Sequence, residues 1–196
     1  MHSIRLFSAA VAAAIAASPV SAQFGYDELS DGDISGVRFA PLELPAADGV
    51  NTLSGTVVDG DIDYFRFNVP DGSELVAINL VDYQSPDFAA FIAVQAGSTF
   101  TVDPNNPAPD DLLGYVLYGP LSVGTDLLPA MGAGFGAIGF TGFLPAGEYT
   151  FWNQQTGPDL TSFTMEFVIR PIPAPASAAL LVGGGLLASR RRRSHR

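Results

Sequence analysis

Asp59, Asp61 and Asp63 stand at i, i+2 and i+4 in the run Asp59-Gly60-Asp61-Ile62-Asp63. That spacing in a turn brings several carboxylate oxygens toward one point and makes a candidate site for a hard cation such as Ca²⁺. The run is not an EF-hand, because Tyr64 occupies the sixth position, where glycine is needed, and Pro70 the twelfth, where a glutamate is needed. Asp27, Glu28, Asp31 and Asp33 form a second acidic group around Gly32. A solvated acidic turn is the plainer reading of either group.

Most other chemistries fall away with composition. The histidines are His2 and His195, close to the two ends, and the chain has no cysteine and no lysine. The region between them therefore offers no Ser-His-Asp or Cys-His nucleophile, no Schiff base and no histidine-ligated zinc. Carboxylate chemistry remains, with Glu43, Glu74, Glu148 and Glu166 as candidates for a glycosidase pair, which needs two carboxyl groups about 5–10 Å apart. Glu148 and Glu166 fall where solvent-facing strand residues would sit, which favours a solvated face. Gly134 to Gly139 matches the G-x-G-x-x-G pattern, but Gly142, Pro145 and Gly147 forbid the helix that dinucleotide binding requires after it. Trp152, followed by Asn153, Gln154 and Gln155, is a candidate sugar contact if exposed and a core residue if not.

The elements that must carry these residues read as strands between turns. Leu53 to Val58, Ile62 to Val69, Leu75 to Val81, Phe88 to Gln95, Leu112 to Tyr118, Gly147 to Trp152 and Ser162 to Ile169 alternate or are aliphatic, and Gly, Pro, Asn or Asp bounds each. Pro70-Asp71-Gly72 predicts a turn between the second and third. In Ile62 to Val69, the face of Asp63, Phe65, Phe67 and Val69 is expected to be buried from Phe65 on. Asp103 to Asp111 is a proline-rich loop, and Ala130 to Gly142 a glycine-rich one. The pattern predicts an all-β fold, a jelly-roll-like β-sandwich.

The ends read differently. Residues 1–22 carry Arg5, the apolar stretch Leu6 to Ala17 and the small residues Val20-Ser21-Ala22, the pattern of a signal peptide cut by signal peptidase between Ala22 and Gln23. Residues 171–196 begin Pro171-Ile172-Pro173-Ala174-Pro175-Ala176, continue with an apolar run to Ser189 and end with Arg190, Arg191, Arg192 and Arg193 before the last residues. Four arginines after an apolar run hold that end on the cytoplasmic side. The run has 16 residues from Ala174 to Ser189, against roughly 20 for a comfortable span, which predicts transient anchoring in the inner membrane. An N-terminal signal helix and a short C-terminal apolar helix are thus expected around a domain of residues 23–170. That domain holds 20 carboxylates against three arginines, a formal charge of −17, which excludes nucleic acid as a partner.

The tail resembles the PEP-CTERM class of bacterial sorting signals, in the Val-Pro-Leu-Pro-Ala variant with Ile172 for Val and Ala174 for Leu. The resemblance implies cleavage near Pro171–Ala176 by an exosortase-type membrane protease, then release or surface attachment. An ordinary C-terminal anchor is the bland alternative. Gly60 to Gly72 resembles the signature Gly-Asp-x-Asp-Tyr-Phe-x-Phe-x-Val-Pro-x-Gly of the bacterial pre-peptidase C-terminal domain, and Leu144 to Phe151 its closing strand. Between Phe88 and Gly142 the chain departs from the short family form, as an insertion would. The resemblance implies a β-sandwich accessory module that is not itself catalytic. The expectation is a non-enzymatic exported protein sorted to the cell surface or extracellular matrix. The alternative is a module binding exopolysaccharide, stabilised by calcium.

Overall fold

The computed structural model describes residues 23–155 and 157–173. The described chain is mostly strand: β1 Gly25–Asp27, β2 Leu42–Glu43, β3 Gly49–Val57, β4 Ile62–Gln84, β5 Ala90–Ala96, β6 Gly114–Tyr118, β7 Leu144–Gln155 and β8 Thr161–Pro171. Helix is limited to α1, Glu28–Asp31, and α2, Leu128–Gly132, with 3₁₀ turns at Pro109–Asp111 and Pro120–Ser122. The fold is all-β, as the alternation predicts. The expected signal helix and C-terminal apolar helix fall outside the described residues, among which no helix is long and apolar enough to cross a membrane.

The eight strands form one sheet in the order β1-β3-β8-β4-β7-β5-β6, with β2 paired to β4. Here the structure corrects the expected turn at Pro70-Asp71-Gly72, because β4 runs straight through it. Its first part, from Ile62, pairs with β7, and its second part, from Ser73, pairs with β8. The register slips between Val69 and Glu74, and Gly72 has φ +79°. Proline and glycine break the ladder locally, but both flanks keep partners, so the break is absorbed as a bulge at which the strand changes neighbours.

Two hydrophobic clusters follow. The larger places Phe65 and Phe67 of β4 against Phe151 of β7, each pair stacked at 5.1 Å, and edge-on against Phe167 of β8 at 5.7 and 5.3 Å. The smaller covers the opposite face of β4 with Tyr64, Ala93, Phe100, Val102, Leu112 and Trp152. Sequence alternation had left that face open. The cover comes from the segment between β5 and β6, which carries Phe100, Val102 and Leu112 and is tied down where the Phe100 amide donates to Arg38 O at 2.8 Å and Arg38 Nη1 to Thr101 O at 2.7 Å.

The glycine-rich segment has a packing reason. A Cβ on Gly114 of β6 would lie 2.4 Å from Met131 O of α2, and one on Gly132 would lie 2.3 Å from Phe140 O. Backbone meets backbone there, and no side chain has room. Gly114→Ala is expected to destabilise the domain by about 1–3 kcal/mol through overpacking, read by urea denaturation. A neutral result would mean that α2 is not held against β6.

Candidate functional site

The two acidic groups converge on the start of β4. Asp27 caps α1 by accepting from the Leu29 amide at 3.1 Å. Glu28 then reaches back into the sheet: its Oε1 accepts from the Ile34 amide at 3.2 Å, and its Oε2 from the Thr56 amide and hydroxyl at 2.6 and 3.0 Å. Ile34 is buried, and the Tyr64 amide donates to Ser35 O at 2.8 Å, so residues 33–35 lie beside the entry to β4.

Asp63 is the unusual member. It is 0% exposed, and neither carboxylate oxygen has a hydrogen-bond partner. Burial, then the charges of Glu28, Asp61 and Asp33, push its carboxyl up to about 9. Asp61 is also raised, first by burial and then by Asp33 and Glu28. A buried charge without a partner is costly, so Asp63 is held as the neutral acid at neutral pH unless something positive reaches it. Opposite it in the ladder, Asn153 has an unpartnered Nδ2, while its Oδ1 accepts from the Tyr118 hydroxyl at 2.8 Å.

The structure divides the triplet read from spacing. Asp59 and Asp61 border a depression of about 310 Å³ together with Pro104 and Asn105 of the proline-rich loop, whereas Asp63 turns into the protein. The reason is the strand's period of two: β4 begins at Ile62, so Asp63 joins the Phe65 and Phe67 face. Among the described residues no three acidic side chains stand close enough to hold a metal ion as they are. Asp59, Asp61 and Asp63 thus do not converge as one turn, because Asp63 points inward, and the carboxylates whose charges bear on Asp63 are Glu28, Asp61 and Asp33. Their association depends on residues 33–35 lying beside β4, which no local spacing reveals.

Of the two readings of Trp152, the structure shows the core one. It is 2% exposed, edge-on to Phe91 at 4.8 Å and to Phe100 at 5.6 Å, and its Nε1 donates to Gln154 Oε1 at 3.1 Å. The loop segment that carries Phe100 roofs it. Of the glutamate candidates, Glu43 of β2 and Glu148 of β7 share the Arg66 guanidinium, while Glu74 and Glu166 lie elsewhere on the ladder opposite Arg170 and Asn79. Gly134 to Gly139 follows α2 and is followed by strand β7, not by a helix.

Of the residues expected to be processed, Gln23 donates its side chain to Asp48 O at 2.7 Å. Pro171 closes β8 opposite Ser73, and the Ile172 amide donates to Gly72 O at 2.7 Å. Ala22, Ala174 to Ala176 and Arg190 to Arg193 lie outside the described residues. No family model, curated protein or solved structure matches the chain.

Proposed function

We propose that the chain is a non-enzymatic exported protein, sorted to the cell surface or extracellular matrix by an exosortase-type protease acting at Pro171–Ala176. One observation carries this reading: motif, short apolar run and Arg190 to Arg193 occur in that order immediately after the last strand of the domain. The absence of histidine, cysteine and lysine from the body supports a role without catalysis. We read the body as a jelly-roll-like sandwich in which β4 is shared by two layers. The rings of Phe65, Phe67 and Phe151 meeting that of Phe167 across the core support it. The resemblance to the pre-peptidase C-terminal domain rests on Gly60 to Gly72 and is part of the same proposal.

Intact-mass measurement on protein from its native host tests the sorting reading. The expected species begins at Gln23 and ends within Pro171–Ala176. A mature species retaining Arg190 to Arg193 would refute sorting by cleavage.

A second reading, that calcium stabilises the body, is favoured by the orphaned oxygens of Asp63. A divalent cation would supply the positive charge missing there, with Glu28, Asp33 and Asp61 closing on it. Export to a compartment rich in calcium would then complete the fold. The domain is expected to gain melting temperature with calcium concentration, as any ligand confined to the native state requires.

A further inference from the structure

A groove of about 490 Å³ lies between the α1 segment and strands β3 and β8, bordering the acidic site at Glu28 and Asp33 and away from Asp59 and Trp152. Beside Gly55 and Phe163, its floor carries short hydroxylated side chains. Ser54 and Thr56 of β3 stand opposite Thr164 and Ser162 of β8, and Thr164 stands in turn opposite Asp82 of β4. These residues alternate with buried Leu53, Val57, Phe163 and Met165, so the hydroxyls are on the face turned from the core. Neighbouring strands are about 4.8 Å apart and alternate residues along a strand about 6.8 Å. The floor is therefore a row of hydroxyl groups rather than a single polar spot, in which Thr56 Oγ1 already donates to Glu28 Oε2 and keeps only acceptor capacity for a ligand. Ser54 Oγ and Thr164 Oγ1 are 3.0 Å apart and share one hydrogen bond, which leaves each with further capacity.

The walls set the ligand's chemistry. Asp27, Asp33 and Asp82 border the groove, and the ion pairs among the described residues, those of Arg66, lie elsewhere. Ionised carboxylates only accept hydrogen bonds, and hydroxyls accept as well as donate. The matching ligand must therefore be rich in donors and must carry no negative charge. On the α1 side Leu29 stands 95% exposed, an apolar ridge against which carbon-bound hydrogens can rest. The volume falls in the ordinary range for small-ligand sites, roughly 300–1,000 Å³.

We infer that this groove binds a neutral sugar chain through the hydroxyl row of Ser54, Thr56, Ser162 and Thr164 and the carboxylate of Asp82. The inference goes beyond the sorting reading and does not depend on cleavage; the groove shares Glu28 and Asp33 with the calcium reading, and the chelator arm of the test separates the two. Vicinal sugar hydroxyls donate to Asp82 and to the threonine and serine oxygens, and a sugar face packs on Leu29. In chelator, acidic sugars are rejected by the wall carboxylates, which would face a second anion without a cation between them.

Calorimetric titration of the full-length chain with oligosaccharides of neutral glucan, neutral mannan and a polyuronate, each in chelator and in calcium, tests it. At least one neutral oligosaccharide binds, the polyuronate does not bind in chelator, and chelator leaves the neutral binding in place. Thr164→Val, which keeps shape and loses the hydroxyl, lowers affinity roughly tenfold, whereas Thr164→Ser retains it. Asp82→Asn also weakens binding, and Asp71→Asn, an equal charge change at the β4 bulge, does not. All variants keep the parent melting temperature. No binding of either neutral sugar would overturn the inference, as would equal binding of the polyuronate in chelator, affinity that survives Thr164→Val and Asp82→Asn, or loss with Thr164→Ser.

Discussion

Replacing Trp152 by alanine is expected to cost about 3–5 kcal/mol, among the largest penalties available to one substitution. The indole is held on two sides by Phe91 and Phe100, and Tyr64 is tilted against it at 6.5 Å, so its removal leaves a cavity lined by aromatic rings. At about 2–4 °C per kcal/mol for a domain of this size, the melting temperature should fall by roughly 10 °C. Trp152→Phe, which refills part of the space, should recover more than half of the loss. A melting temperature unmoved by Trp152→Ala would show the indole in solvent and restore it as a sugar platform.

Asp63→Asn is expected to have the opposite sign. The native carboxyl titrates near 9 and the unfolded one near about 3.9, so the native state holds the proton more tightly. Its contribution to stability is complete below about pH 4, declines as pH rises through the window to about 9, and is lost above it. The decline approaches about 1.4 kcal/mol per pH unit. Asparagine is neutral at every pH, so in chelator the variant should melt above the parent at pH 8, with a gap that narrows toward pH 4. Calcium should raise the parent's melting temperature and leave that of Asp63→Asn unchanged. Parallel melting profiles of the two proteins across pH 4–9 would mean that Asp63 is not buried as an acid.

Much of the fold was legible because strand alternation is a local property. The faces Phe65-Phe67-Val69 and Phe163-Met165-Phe167-Ile169 declared their burial directly. What alternation cannot state is which element covers the second face. Tyr64 and Trp152 are buried by Phe100, Val102 and Leu112, which come from a segment outside the regular strands. The same limit applies at the acidic site. Spacing drew attention to Asp59, Asp61 and Asp63, but the strand begins at Ile62 and sends Asp63 inward, toward a glutamate 35 positions earlier. Pro70-Asp71-Gly72 was misread for a related reason: turn residues report a break in local dihedral angles, and whether the chain reverses there depends on where the next strand finds its partner. The hydroxyl row was invisible in sequence because Ser54, Thr164 and Asp82 meet only through the β3-β8-β4 register.

The position of β8 has a mechanical consequence. β8 lies between β3 and β4, bonded on both sides, and its last residues are fastened to the β4 bulge at Gly72 and Ser73. A tug on the chain beyond Pro173 therefore enters the domain through an interior strand, not through an edge such as β6. An edge strand can be peeled one hydrogen bond at a time. β8 must slide past two neighbours, so a load along it is spread over both ladders as shear, and forced unfolding is governed by the rate of that concerted rupture. The domain is thus built to bear tension at the end where its tail begins.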